Sequence, residues 1–414
     1  MSDAASAASG GLIQQRPFVL FWLSRIAATI GYQMMGLLIG WKIYEITGSA
    51  FDLGLVGLIL FIPAVVLTLL IGHTADRYDR RLIVRLAQSV YALAAALVTA
   101  TIYFDVLGRE LLFFTVFLIG CARAFELPTG HALVPATVPP RLLSRAVAAW
   151  SSANQVATIG GPALGGMIYA AQPVAVSAIC VVAFMTSVTL VSLIRVGTNV
   201  VANREPPTFS SVLAGFHYIR RRKRLLGVIT LDLFVVLLGG ATALLPIFAK
   251  DILDAGPVGL GLLRSAPAVG ALATAIVLSH YPVERHIGRK MFAVVAIYGI
   301  ATIVFGLSTW LPLSLAALIV LGASDAVSVV IRFTLVQIET PDDMRGRVSA
   351  INYLFVGSSN TLGEFESGAV AAWLGAVPSV LIGGIGSLVV AATWMGLFPD
   401  LRKIDRFEPA DKKV

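Results

Sequence analysis

The chain has 414 residues, of which 57% are hydrophobic and only 13% are charged, and its mean hydropathy is +0.86. This composition excludes a water-soluble globular protein, because too few polar residues are present to cover its surface, and it indicates that lipid surrounds the chain. The formal net charge of +8 does not indicate a nucleic-acid-binding protein, because the basic residues form short clusters between apolar segments.

Apolar segments of transmembrane length, each about 20 residues, follow one another along the chain. The spans predicted in the first half are 18–43, 53–73, 82–104, 111–135, 145–170 and 173–194. Those in the second half are 226–249, 258–280, 291–309, 312–335, 347–372 and 376–397. We therefore predict a disordered tail (1–17), an N-terminal six-helix bundle (18–195), a linker (196–225), a C-terminal six-helix bundle (226–398) and a second tail (399–414).

The loops between these spans are alternately rich and poor in Lys and Arg, and acidic residues partly offset the few basic ones of the poor loops. Basic clusters occur at Arg77–Arg85, Arg141–Arg145, Arg220–Arg224, Arg285–Lys290 and Arg345–Arg347. Because cytoplasmic loops carry the excess of Lys and Arg, this alternation predicts that both termini are cytoplasmic. The predicted location is the bacterial inner membrane.

The linker contains a short amphipathic pattern. Thr208 is placed to cap a helix whose apolar residues run from Phe209 to Ile219, just before the basic run 220–224. Such a helix would lie on the inner membrane surface. An ordinary linker with a cluster of cytoplasmic positive charge explains the same residues.

The two halves repeat each other. Gly57 and Pro63 match Gly261 and Pro267 at an offset of 204 residues, and later pairs match at an offset of 202. The later pairs are Arg145 with Arg347, Gly161 with Gly363, and Gly166 with Gly368. The fold class predicted is an all-α integral membrane protein with twelve transmembrane helices, in two six-helix bundles related by a parallel pseudo-two-fold repeat.

The segment Gly72–Arg81, after the second span, resembles the signature of the major facilitator superfamily between helices 2 and 3. Leu335 to Gln337 and Thr340 to Val348 resemble the enterobactin-exporter-like branch, the transmembrane secretion effectors. The resemblance implies a secondary transporter that exports siderophores, drugs or similar amphipathic compounds. Asp79 departs from the signature, which has glycine there.

The same signature implies a conformational latch. Asp76 follows the second span, where its carboxylate is expected to meet a helix N-terminus or the pair Arg80 and Arg81. By resemblance, such a latch joins the two halves at the cytoplasmic face and favours the outward-open state. The latch residues are Gly72, Asp76, Arg77, Arg80 and Arg81. A solvated loop charge, with arginines that serve topology alone, is the alternative.

The fifth span carries a glycine-rich motif similar to the antiporter-type motif of exporters in this superfamily. It comprises Gly161, Pro162, Gly165 and Gly166, and Ala157 stands where the leading glycine is expected. Pro162 removes a helix hydrogen bond, and the glycines permit bending or close packing. The sequence does not distinguish a role of this motif in helix bending from a role in helix packing.

Ionisable residues within the spans are costly in hydrocarbon and are expected to face a cavity or a partner. Those of the four spans that line the central cavity in the superfamily are Arg25, Arg123, Glu126, Asp232, Asp325 and Arg332. Arg123 and Asp325 are separated by the repeat offset of 202 residues, which suggests an opposite-charge pair across the cavity. Alternatively, Glu126 neutralises Arg123 locally, one helical turn away.

The eleventh span contains Glu364 and Glu366, which point in different directions on a helix. One of these carboxylates is a candidate for binding and releasing a proton during transport. Contact with a buried arginine, or with a wet crevice, is the alternative.

Together these features predict a proton-coupled exporter. An importer or uniporter on the same fold is the alternative, and a non-transporting membrane sensor or enzyme is a remote one. We expect no enzymatic activity, since phosphate loops, metal-spaced His/Cys sets and nucleophile elbows are missing from the sequence. The expected partners are a small-molecule substrate, protons and the lipid bilayer, with no cofactor, metal or nucleic acid, and the chain is expected to be a monomer.

Overall fold

The computed structural model describes residues 11–67, 70, 74, 77–195 and 209–407; for 209–214, 343, 350 and 353 it describes the backbone alone. All regular structure in these residues is helical. The helices of the first half are α1 (Arg16–Thr47), α2 (Ala50–Val66), α3 (Arg80–Tyr103), α4 (Arg109–Leu133), α5 (Leu143–Ala171) and α6 (Pro173–Ser192).

A short helix, α7 (Phe209–Arg221), precedes the second half. The helices that follow are α8 (Lys223–Leu238), α9 (Gly256–His280), α10 (Ile287–Leu307), α11 (Leu311–Glu339), α12 (Asp342–Leu374) and α13 (Ala376–Leu397). Every predicted span overlaps one of these helices, and the all-helical fold class is confirmed.

Nine helices in the described part of the chain are long and apolar enough to cross a membrane. The predicted spans outside that set are α2, α5 and α12. The described part of α2 has only 17 residues. In α5 and α12, glycine and polar side chains lower the hydropathy, as befits helices that pack against others or face a wet surface.

One span is broken where the sequence predicted a continuous helix. The span predicted at 226–249 stops as an α-helix at Leu238 and resumes as a 3₁₀ turn, Ala241–Leu244. It ends in a π-helical turn, Phe248–Ile252. The break falls at Gly239 and Gly240. At Gly240 the chain passes so close to α12 that a side chain there would collide with the backbone carbonyl of Gly363.

The described residues divide into two compact units. Residues 11–47 and 59–195 form the first, and residues 48–58 and 209–407 form the second. The first half of α2 therefore clusters with the second unit, where Phe51 and Phe365 meet edge to face with ring centroids 5.9 Å apart.

In the first unit, α1 is the central helix. A Cβ built on Gly165 of α5 would lie 3.3 Å from Met34 of α1, and Met34 is only 1% exposed. On the other side of α1, the hydroxyls of Ser24 and Ser187 are 2.7 Å apart. The core of this unit therefore lies along α1, between α5 and α6.

The second unit includes the linker helix α7. Ile219 is 2% exposed and lies in a hydrophobic cluster with α8, α10, α11 and α12. The hydroxyl of Tyr218 donates to the carbonyl of Glu339 at 3.4 Å, and Gly215 abuts Arg347 of α12. Through these contacts, α7 packs against helices of the second unit along the face that carries Gly215, Tyr218 and Ile219. Thr208, the predicted cap, lies outside the described residues.

Candidate functional site

Two buried ion pairs dominate the polar interior, one in each unit. In the first unit, Nη1 of Arg25 on α1 pairs with Oε1 of Glu126 on α4, and their side chains are only 9% and 5% exposed. The Tyr91 hydroxyl donates to Oε2 of the same carboxylate at 3.3 Å. The indole ring of Trp150 lies 5.7 Å from the Arg25 guanidinium. Tyr91 and Trp150 therefore cover the sides of this ion pair that they contact.

Arg123, one turn before Glu126 on α4, has an aromatic contact. Its guanidinium carbon lies 4.1 Å from the ring centroid of Tyr32 on α1, a cation–π arrangement. The structure therefore gives Glu126 an ion-pair partner on another helix, Arg25, and places an aromatic ring against Arg123.

The ionic cluster of the second unit has three members. Nη1 of Arg332 on α11 pairs with Oδ1 of Asp232 on α8, and both side chains are less than 10% exposed. Nη2 of the same arginine lies 3.6 Å from Oδ1 of Asp325, whose side chain is 46% exposed. One guanidinium thus serves two carboxylates, of which one is buried and one is open.

The two clusters lie on corresponding helices of the repeat, with reversed charge, although not at the same positions along them. Arg25 and Asp232 lie on the first helix of their halves, 207 residues apart, and Glu126 and Arg332 lie on the fourth, 206 residues apart. In each cluster two buried, opposite charges are paired with each other, as is expected of charges in an apolar interior. Asp325 adds a further negative charge in the second unit.

Asp325 lines a cavity of about 160 Å³ in the second unit. Each of three helices contributes one stripe at helical spacing to its wall. The stripes are Val228, Asp232 and Val236 on α8; Asp325, Val329, Arg332 and Phe333 on α11; and Asn352, Val356 and Asn360 on α12. Half of these ten residues are therefore apolar, and the other half form one ionic cluster and two amides.

The amides and Phe333 are site residues that sequence reasoning missed. The charged members stood out because ionisable groups are rare in membrane spans, whereas asparagine and phenylalanine are common enough to pass unnoticed. The i, i+4, i+8 spacing of Asn352, Val356 and Asn360 was the available signal.

The loop before α3 shows how Asp79 replaces the glycine of the signature. Asp79 caps α3, because its carboxylate accepts from the backbone N–H of Arg81 at 2.9 Å. Its φ of −57° needs no glycine. The side chain of Arg81 also donates to this carboxylate, with an ion-pair distance of 2.6 Å, which lowers the pKa of Asp79.

The arginines of the predicted latch hold helix ends in the first unit. Arg80 donates to the carbonyl of Ala132 at 3.0 Å, and Arg81 donates to the carbonyl of Ile194 at 3.0 Å. Arg77 is exposed. Gly72 and Asp76 lie outside the described residues, so the latch itself remains a prediction.

The glycine-rich motif of α5 makes close packing contacts. A Cβ built on Gly161 would lie 2.7 Å from Cβ of Gln33 on α1. The Gln33 side chain therefore packs directly against the backbone of α5 at Gly161. Pro162 and Gly166 are buried beside it within a continuous helix. The structure thus documents packing at this motif.

The two glutamates of α12 have different surroundings. A Cβ built on Gly57 of α2 would lie 2.9 Å from Cβ of Glu364, so this side chain stands against α2 in the second unit. Oε2 of Glu366 accepts from the hydroxyl of Ser367 at 3.4 Å. Both are partly buried, and neither lines the cavity beside Asp325.

The fold and the paired charges define a multi-pass membrane transporter, and comparisons with known proteins agree. Residues 8–413 match the family described as transmembrane secretion effector. The chain belongs to this family, a branch of the major facilitator superfamily.

Two relatives and one solved structure illustrate the match. Macrolide efflux protein A of Streptococcus pyogenes is 23% identical over 400 residues, covering 94% of this chain and 97% of the relative. The enterobactin exporter EntS of Citrobacter koseri is 25% identical over 407 residues, covering 96% of each. The inward-facing, unoccupied structure of a bacterial homolog of the lysosomal transporter Spinster is 13% identical, with a TM-score of 0.74 over 97% of this chain and 100% of that one.

These comparisons make the chain a membrane transporter of a small molecule, rather than an enzyme.

Proposed function

We propose that the chain exports an amphipathic small molecule in exchange for protons, by alternating access, and that Asp325 is the carboxylate that binds and releases the proton. The observation that carries this proposal is the unequal exposure of the two carboxylates around Arg332. Asp232 is buried against the guanidinium, while Asp325 is nearly half exposed to the cavity.

The charge of the cluster explains how a proton would act. With both carboxylates ionised, two negative charges face one guanidinium, and the cluster carries a net charge of −1. A proton on Asp325 makes the cluster neutral and leaves the pair of Asp232 and Arg332 intact. Protonation therefore changes the field in the cavity without exposing an unpaired buried charge.

Export is favoured over import by the family and by the activities that the names of two relatives give. Macrolide efflux protein A and the enterobactin exporter EntS both move their compounds outward, as their names state. By extension, we infer a drug, a siderophore or a similar amphipathic compound as the substrate. Both termini would lie in the cytoplasm of a bacterium, and the transporting unit would be a monomer.

Efflux assays in cells that express single variants test this proposal. Asp325→Asn should abolish efflux of any compound that the wild type exports from a panel of dyes and siderophores. Glu364→Gln is the second variant, since Glu364 is another candidate carboxylate of the second unit. Glu110→Gln removes a carboxylate that is 88% exposed at the start of α4, and it is the matched control.

Protein abundance must be equal in all strains. Normal efflux in Asp325→Asn would overturn the assignment of the proton to Asp325, and normal efflux in Glu364→Gln as well would overturn coupling through either carboxylate. Net inward movement of the same compounds in proteoliposomes would instead favour the importer.

A further inference from the structure

We propose that the cavity between α8, α11 and α12 binds the positively charged end of the substrate, so that the transported compounds are lipophilic cations such as amphipathic amines. This inference rests on the proposed function, and it assigns a charge to the substrate of the same site. Asp325 would then be the group for which the proton and the cation compete.

The first argument is the net charge of the cavity wall. Asp232, Asp325 and Arg332 are the ionisable residues of that wall, and together they carry one more negative than positive charge. The guanidinium lies close to Asp232 and 3.6 Å from Asp325, so the unbalanced charge resides on the more exposed carboxylate. A cation in the cavity would neutralise it, whereas an anion would be repelled.

The second argument is the remaining polar and aromatic lining. Nδ2 of Asn360 donates to the carbonyl of Val356 at 2.8 Å, which turns the acceptor Oδ1 of this amide toward other partners. Phe333 also lines the cavity, and an aromatic face attracts cations. Acceptors and an aromatic ring are thus added to the negative charge, while the only cation of the wall, Arg332, is already paired.

The third argument concerns size and polarity. The cavity of about 160 Å³ is smaller than the 300–1,000 Å³ pockets that enclose drug-sized molecules, so it would hold one end of a ligand. Its valines, Val228, Val236, Val329 and Val356, suit the alkyl groups of a substituted amine. A charged end that carries alkyl groups fits this lining better than a small hydrated ion does.

Binding of two dyes with one scaffold and opposite charges tests the inference. Rhodamine 6G is a cation with alkylamino groups, and fluorescein is an anion on the same xanthene core. Fluorescence anisotropy with the purified full chain in detergent should show binding of rhodamine 6G and none of fluorescein. Lowering the pH should weaken rhodamine 6G binding, because protons compete for the same carboxylate.

Variants locate the charge that matters. Asp325→Asn should weaken rhodamine 6G binding by about tenfold or more, since it removes the unbalanced charge. Asp325→Glu should keep it. The decisive variant is the double substitution Asp325→Asn with Asn360→Asp, which moves the carboxylate to another wall of the same cavity and should restore binding. Thermal unfolding shows whether each variant is folded.

The outcomes separate this inference from the proposed function. Absence of rhodamine 6G binding, equal binding of fluorescein, or rhodamine 6G binding unchanged by Asp325→Asn would overturn the cation site. Proton-coupled efflux of neutral or anionic compounds in the cell assay would then leave the proposed function standing. If the wild type binds rhodamine 6G as expected but its efflux does not depend on protons, the proposed function is overturned and the cation site still stands.

Discussion

At the scale of single residues, two buried ion pairs, Arg25 with Glu126 and Arg332 with Asp232, each join charges on different helices. Such pairs contribute little net stability, because desolvation offsets their attraction, but removing one member leaves an uncompensated charge. The pair of Arg25 and Glu126 is enclosed, whereas the cluster of Asp232, Arg332 and Asp325 opens onto a cavity. We therefore expect a structural role for the enclosed pair, whereas the open cluster has the features expected of a transport site.

The enclosed pair provides a stability prediction. Arg25→Met should lower the free energy of unfolding by about 3 to 5 kcal/mol, because Glu126 is left buried without a counter-charge. The double variant Arg25→Met with Glu126→Gln should recover most of that loss, since Tyr91 still finds a polar partner. Denaturant unfolding in detergent measures both. A double variant as unstable as the single one would contradict this account.

Asp79 provides a pH-dependent prediction outside the membrane. Asp79→Ala should cost about 1 kcal/mol through loss of the helix cap, and Asp79→Asn should cost less. The pKa of Asp79 lies below its ordinary value of 3.8, chiefly because Arg81 donates to the carboxylate. The charge-dependent stabilisation is therefore complete above pH 3.8 and disappears as the pH falls through the lowered pKa.

The measurement is the difference in unfolding temperature between the wild type and Asp79→Asn across this acid range. The difference should be largest near neutral pH and should shrink in acid. A difference that grows as the pH falls would show that the sign of the pKa shift is wrong.

At the scale of helices, the positions of certain glycines determine where two helices pack closely. Gly161 of α5 lies directly against Gln33 of α1, whereas the adjacent Gly160 has no heavy atom within 4 Å of a built Cβ. At the break after α8, Gly240 likewise meets the backbone of Gly363. Glycine thus acts at these positions through the space that it leaves to a neighbour.

The adjacent glycines of α5 form a matched pair for a test. Gly161→Ala should lower stability by about 1 to 3 kcal/mol, because the new methyl group meets Cβ of Gln33. Gly160→Ala should be neutral or should raise stability by up to about 1 kcal/mol, because alanine favours the helix. Thermal unfolding of the two variants compares them directly. Equal effects would show that the close contact at Gly161 does not matter.

The same helices show what the sequence determines by itself. The spans were predictable, because length and hydropathy alone decide which segments lipid can surround. The break at Gly239 and Gly240 was not, and neither was the close approach of Gly240 to Gly363, which is more than 120 residues away. The partners of the charges, Arg25 with Glu126 and Arg332 with Asp232, were also hidden, since residue spacing gives the helix face but not the neighbour.

At the scale of the whole molecule, the basic loops predict which side of the membrane each loop faces. Val106, in the loop after α3, is 65% exposed and belongs to a loop poor in Lys and Arg. Lys403, in the basic C-terminal segment, is also exposed. The positive-inside rule places these residues on opposite sides.

Cysteine labelling tests this topology. Val106→Cys should react with a membrane-impermeant maleimide in intact cells, and Lys403→Cys should react only after the membrane is opened. The unmodified chain is the control, because its two cysteines lie within α4 and α6. The opposite labelling pattern would invert the predicted orientation.

The central claim is that a proton on Asp325 is exchanged for the exported compound. Proteoliposomes loaded with the wild type and given a pH gradient should accumulate rhodamine 6G in the compartment from which protons leave. Collapse of the gradient should abolish accumulation, and Asp325→Asn should show none in either condition. Accumulation that ignores the pH gradient, or that Asp325→Asn leaves at the wild-type level, would contradict the claim.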